Sequence, residues 1–276
     1  FQVAATAKHY IAYSNNKGGR EGMARVDPQM APHEVENVHV WPWREVISRG
    51  GLLGAMASYN DYDGEPVEGS HYWLTERLRG EFGFRGYVVS DSDAVEYLYS
   101  KHNVAADMKE AVRQSVMAGL NVRCTFRSPD SYVLPLRELV EEVTVPMSVI
   151  DERVRDILRV KFLVGLFDNP YQTDYEAADE EVDGEQNNKV ALRASLESLV
   201  LLKNADSDSP FGTFGKALPL NAGALRRVAV IGPNADDTGY ASLHYGPLGT
   251  ENVSVLKGLR NALEGKAEVV YAKGCE

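Results

Sequence analysis

The chain has 276 residues, 44% of them hydrophobic and 25% charged, which excludes a disordered or fibrous protein over most of its length. Its 29 basic and 40 acidic residues leave a net charge of −11, the wrong balance for a nucleic-acid groove, which needs a basic face to neutralise phosphates. No apolar run approaches the ~20 residues of a membrane-spanning helix, and at ~100–200 residues per domain one large or two small domains are expected. The chain opens at Phe1 with no leader visible, and Cys124 and Cys275 are expected as free thiols rather than as a disulfide.

Residues 2–8 read as a first strand, small and apolar. Residues 33–49 read as a helix carrying Pro42 as an irregularity, with His33 and His39 on its surface. Leu52 to Ser58 is a second strand. Ser70 offers an N-cap for a short helix whose inward face is Leu74 and Leu78, stopping at Gly80. Gly86 to Ser90 is a third strand. Asp107 caps a helix with Met108, Ala111, Val112 and Val116 on one face, and Gly119 ends it. Leu120 to Cys124 is a fourth strand, and Asp151 caps a long helix striped by Val154, Ile157, Leu158 and Phe162. Residues 169–188 are acidic and aperiodic, as in a linker. Beyond them come a helix at 189–198, a strand at 199–203, a polar loop at 205–216, a strand at 227–232, a helix at 254–264 and a strand at 267–271.

Four βα units over 1–168 predict a parallel sheet with covered faces. A closed (β/α)8 barrel needs eight units, so if the fold is a barrel, half of it is absent from 1–168; an acidic linker at 169–188 and the beginning of a second α/β domain at 189–276 are expected to follow. In a parallel barrel the working face lies at the C-terminal strand ends, where Lys8-His9, Ser58-Tyr59-Asn60 and Ser90-Asp91 stand. A carboxylate, an ammonium, an imidazole and a phenol on one face suit a polyhydroxylated ligand and one nucleophilic or basic step. Ser90-Asp91 also has the form of an ordinary helix N-cap.

Other chemistries find less support. The six histidines show no metal-ligand spacing, and no Gly-x-Ser-x-Gly elbow occurs. Gly232-Pro-Asn-Ala-Asp follows a strand as a phosphate loop would, but it lacks the further glycines of a dinucleotide site, and Pro233 removes an amide donor. Trp41, Trp43 and Trp73 are read as core rather than sugar platforms.

At these positions the sequence resembles glycoside hydrolase family 3, the β-glucosidase and β-xylosidase family. Ala7-Lys8-His9-Tyr10 is similar to its Lys-His strand end, Met56-Ala57-Ser58-Tyr59-Asn60 to its Met-x-x-Tyr-Asn element, and Gly83 to Asp91 to the segment ending in its nucleophile. Arg159 to Phe162, Gly165 to Asp168 and Pro170-Tyr171 resemble the end of its barrel. Glu197 to Asn204 and Leu218-Pro219-Leu220 resemble the opening of its α/β sandwich domain.

The resemblance implies the C-terminal half of a (β/α)8 TIM-type barrel followed by the start of an α/β sandwich. It implies Asp91 as catalytic nucleophile, Lys8 and His9 on the sugar hydroxyls, Tyr59 beside the nucleophile, Met56 lining the pocket, and Ser92 where many members carry Trp. A Lys8 ammonium would lower the Asp91 pKa, against desolvation. The implied activity is a retaining, exo-acting hydrolysis of terminal β-linked glucose or xylose, with no cofactor, no metal, no nucleic acid and no membrane. A homo-oligomer and a secreted or periplasmic location are compatible with it. The alternatives are a catalytically silent carbohydrate-binding homologue and a phosphorolytic β-glycosidase. The family's acid/base Glu is expected beyond this chain, and its N-terminal sugar-binding Asp and Arg before Phe1. Arg123 stands where the family has an acidic residue, and is expected to form a different salt bridge or to shape substrate choice.

Overall fold

The computed structural model describes residues 3–13, 27–171, 174–209, 212–239 and 252–275. It divides into two compact units, Phe1–Tyr171 and Gln172–Glu276.

In the first unit, β1 (Thr6–Tyr10), β2 (Gly54–Ala57) and the later strand Tyr87–Val89 form a parallel sheet with β2 in the middle. Between them runs a small antiparallel pair, β3 (Asp61–Tyr62) and β4 (Glu65–Pro66), so Tyr87–Val89 is β5. The first strand is set later than the predicted 2–8, which places His9 within it rather than beyond its end. The predicted fourth strand is reduced to one parallel bridge, Val89 to Val122. The Asn121 side chain takes over part of the ladder, because its Oδ1 accepts from Val88 N at 2.7 Å.

Helices cover one face of this sheet. α1 (Pro32–Glu34), a wider π turn at Val35–Val40 and α2 (Trp41–Gly50) make the predicted helix continuous. Pro42 lies in the first turn of α2, where a missing N–H costs least. His39 is partly buried there, which pushes its pKa down, while His33 is exposed. Ser70 Oγ accepts from Trp73 N at 3.2 Å and so acts as the expected cap. The helix it starts, Tyr72–Glu81, is π-wound, buries Trp73, Leu74 and Leu78, and passes Gly80 by one residue. Ala55, Ala57 and Val88 pack against Trp43, Leu74 and Leu78 in the main core, whereas Trp41 is exposed.

After β5 come α3 (Ala94–Ser100), α4 (Met108–Ala118), α5 (Asp130–Glu141) and α6 (Met147–Leu163). Asp107 caps α4 as expected, with Oδ1 accepting from Glu110 N at 2.9 Å. α5, which contains Pro135, corresponds to no element predicted from the sequence. Asp151 is not a cap: α6 starts at Met147 behind Pro146, which leaves Asp151 in the helix. Asp91 is not a cap either. The N-cap position of α3 is Asp93, in the left-handed region at φ 59°.

The second unit holds α7 (Tyr175–Glu181), α8 (Glu185–Ser198), the hairpin β6 (Ser207–Ser209) and β7 (Gly212–Phe214), and β8 (Arg227–Ile231) parallel to β9 (Glu268–Ala272). The helix α9 (Val255–Ala262), capped by Ser254 Oγ on Lys257 N at 3.0 Å, connects β8 and β9. Three expectations are corrected. The acidic 169–188 stretch is largely helical, because Asp174 caps α7 through Ala177 N at 2.8 Å. Leu199 to Lys203 forms no strand: the described residues offer it no ladder partner, and Leu202 is 91% exposed. The polar loop at 205–216 carries the β6–β7 hairpin. Gly232 leads into a 3-10 turn, Pro233–Asp236, as expected of a plain strand-to-loop turn.

Candidate active site

The site is built where β1, β2 and β5 end. Ser90 follows β5 and is fully buried. Its N–H donates to the Val122 carbonyl at 2.8 Å, and its Oγ accepts from Cys124 N at 2.7 Å. These bonds fix the turn that presents Asp91, of which 8% is exposed.

Both Asp91 oxygens have partners. Oδ1 accepts from Ser92 N at 2.7 Å, and Oδ2 lies 3.2 Å from His9 Nε2. The Tyr59 hydroxyl, 2.8 Å from the Ser92 carbonyl, is shared with the Asp91 carboxylate. Burial raises the Asp91 pKa, but the hydrogen bonds from His9, Ser92 and Tyr59 outweigh it and hold the carboxyl below its ordinary value. Asp91 is thus ionised at neutral pH and locked in orientation.

Three of the sequence candidates converge on Asp91: His9, Tyr59 and Ser92. Lys8 is exposed on β1, and the groups that act most on Asp91 are His9, Ser92 and Tyr59. The largest contributions that lower the Asp91 pKa thus come from an imidazole, a backbone amide and a phenol. Met56 pairs with Val89 and, by strand alternation, faces away from the core side occupied by Ala55 and Ala57.

Several neighbours carried no sequence signal. Tyr13 sits edge-on to His9 at 4.8 Å, Tyr59 lies 5.5 Å from Tyr13, and Tyr97 lies 5.6 Å from Tyr59. The row joins two partners of the carboxylate, His9 and Tyr59, through Tyr13 and continues to Tyr97. His102 Nε2 stands 2.8 Å from the Tyr59 carbonyl, and burial lowers the His102 pKa. Glu68 is fully enclosed, and neither oxygen meets a hydrogen-bond partner. Desolvation, followed by the Asp91 and Glu96 charges, pushes its pKa well above the ordinary carboxylate value.

Arg123 forms an ion pair with Glu96, with side chains 4% and 3% exposed. It also donates to Ser131 Oγ at 2.9 Å and lies over the Tyr132 ring. Of the two roles considered for Arg123, the geometry is that of the salt bridge. It ties α3, which starts just after Asp91, to the segment following the bridge at Val122. Both cysteines are free, and Ser92 Oγ approaches Cys124 Sγ at 3.7 Å. No cluster of metal-ligating side chains, and no helix long and apolar enough to cross a membrane, occurs among the described residues.

Known proteins are similar to this chain in sequence and fold. Residues 1–160 match the glycosyl hydrolase family 3 N terminal domain. A periplasmic β-glucosidase of Salmonella typhimurium is 31% identical over 99% of this chain and 34% of its own length. A β-xylosidase of Formosa agariphila is 28% identical over 99% of this chain and 38% of its own. The solved structure of a β-glucosidase of Erythrobacter marinus superposes with a TM-score of 0.79 at 34% identity, covering 99% of this chain and 34% of that one. The chain thus spans about a third of the length of these relatives. Its parallel strands and covering helices are those of the family's TIM-barrel-type α/β fold. The chain is a member of glycosyl hydrolase family 3.

Proposed function

We propose that the protein containing this chain is a retaining, exo-acting β-glycosidase that removes terminal β-linked glucose or xylose from oligosaccharides, with Asp91 as the nucleophile. The observation that carries this is the Asp91 carboxylate, held ionised and oriented by His9 and Ser92 at the C-terminal end of β5. Relatives named β-glucosidase and β-xylosidase support both sugars.

The chemistry follows from the geometry. Ser92 N–H fixes Oδ1, while Oδ2 forms the bond to the anomeric carbon as the glycosidic bond breaks through an oxocarbenium-like transition state. His9 contacts the same oxygen, so it both keeps Asp91 ionised and sits where a sugar hydroxyl adjoins the nucleophile. Lys8 and Met56, on the strand face away from the helices, complete the sugar pocket, and Ser92 holds the nucleophile. Hydrolysis with retention needs a second carboxyl group ~5–5.5 Å away to protonate the leaving oxygen and then activate water. Glu68 does not serve, because both its oxygens are sealed from solvent. The role is given to no residue of this chain. A periplasmic or secreted location accords with the Salmonella relative.

The test is turnover of aryl β-glucoside and aryl β-xyloside by the full-length protein. Asp91→Asn should lower kcat by roughly 10⁴–10⁶-fold, the scale on which removing a covalent nucleophile acts. Substrate binding without turnover by the unmutated protein would instead identify a silent carbohydrate-binding homologue. Turnover that requires phosphate would identify a phosphorolytic enzyme.

A further inference from the structure

A second concentration of charge lies at the opposite end of β5 from Asp91. A cleft of about 350 Å³ opens between the Gly83–Gly86 turn and α6, lined by Arg79, Arg85, Arg153, Arg155 and Arg159 with Glu152 and Asp156. Five guanidinium groups face two carboxylates, in a chain whose net charge is −11.

The two acids are already committed. Asp156 is shared by Arg79 and Arg159, each at 3.0 Å, and accepts from Asn121 Nδ2 at 3.1 Å. Glu152 pairs with Arg153 Nη2 at 3.0 Å from an exposed position. Arg85 and Arg155 are exposed and make no ion pair among the described residues. The cluster is short of acceptors on its protein side too: Nε of Arg79, and Nε and Nη1 of Arg153, are buried without one. Burial lowers the Arg79 pKa to about 10. Asp156 opposes that shift, and the Arg153 and Arg159 charges add to it. The fold holds its place for the cluster, since Arg159 Nη1 pins the turn through the Arg85 carbonyl at 2.9 Å and Arg79 Nη1 holds the Gly86 carbonyl at 3.0 Å.

We propose that this cleft is an anion site that takes a tetrahedral oxyanion, free or as an ester, between Arg85 on the turn and Arg155 and Arg159 on α6. Guanidinium forks match such oxygens in pairs, and the site is independent of Asp91.

The test is isothermal titration of the full-length protein with inorganic phosphate, sulfate and glucose 6-phosphate, at fixed ionic strength in chloride. Saturable binding is expected, weakened about tenfold or more by Arg85→Met and by Arg155→Met, since each removes charge-assisted hydrogen bonds. Both residues are exposed and unpaired, so the fold should persist, which circular dichroism checks. Tightest binding of the phosphate ester would name an ester as the ligand, and equal binding of phosphate and sulfate a free oxyanion. Absence of saturable binding by all three, or binding that both substitutions leave unchanged, would overturn the proposal.

Discussion

Replacing Arg123 by Met should be among the most damaging single changes in the first unit. It leaves Glu96, 3% exposed, without its buried cation, and it removes the donor to Ser131. Breaking a buried pair from one side costs about 3–5 kcal/mol, because an uncompensated charge remains in the interior. The 61%-exposed Arg127, whose Nε is 3.9 Å from Glu96, is a partial substitute and moves the expectation to the lower end. For a unit of this size such a loss lowers Tm by on the order of 10 °C. The assay is urea unfolding followed by tryptophan fluorescence, since Trp41, Trp43 and Trp73 all lie in the first unit. The double variant Glu96→Leu/Arg123→Met should recover most of the loss, because an apolar pair removes both desolvation penalties. Arg49→Met is the control within the same unit, as Arg49 is 81% exposed and its pair with Glu45 lies on the surface of α2, and the midpoint should not move. If Arg123→Met costs under about 1 kcal/mol, or the double variant is no better than the single, the pair is not the structural tie described here.

Three further outcomes are expected. Glu68→Gln should stabilise the fold increasingly as pH rises. The folded pKa of Glu68 lies far above its unfolded value, so the parent loses stability from about pH 4.5 upward while the variant does not; melting curves at pH 4 and pH 8 that show the same difference would contradict this. His9→Phe should move the acid limb of the kcat/KM profile to higher pH, because it removes the largest of the groups lowering the Asp91 pKa; an unmoved limb would show that Ser92 and Tyr59 suffice. Gly86→Ala should prevent folding of the first unit, since the new Cβ would lie 2.0 Å from the Leu53 carbonyl oxygen, and a cooperative melt of the variant near the parent Tm would refute it.

What was legible in the sequence follows the range of the forces involved. Asp107, the apolar stripe after it and Gly119 act within one helix, so α4 was readable to the residue. The alternation of strands and helices was readable because it rests on periodicity. Leu199 to Lys203 has strand-forming residues but no ladder partner among the described residues, and propensity does not supply one. α5 escaped because Pro129 and Pro135 are breaker signals, and here they fall at the start of the helix and within it. At the site, the motif residues named Asp91, His9 and Tyr59 but not what sets the charge of Asp91. Whether Asp91 was a cap depended on the backbone of Asp93, which no motif encodes. Glu68 and Glu96 carry no signal of burial in the sequence, and the salt bridge expected of Arg123 finds its partner in Glu96 only because several elements close over the pair.

The central claim is that Asp91 attacks the sugar. It is tested most directly by trapping the full-length protein with a slow-turnover activated aryl β-glucoside, and separately with the xyloside, followed by intact mass and peptide mapping. A covalent glycosyl adduct on the peptide containing Asp91, absent from Asp91→Asn, is the predicted result. An adduct on another carboxylate, or turnover that survives in Asp91→Asn, would contradict it.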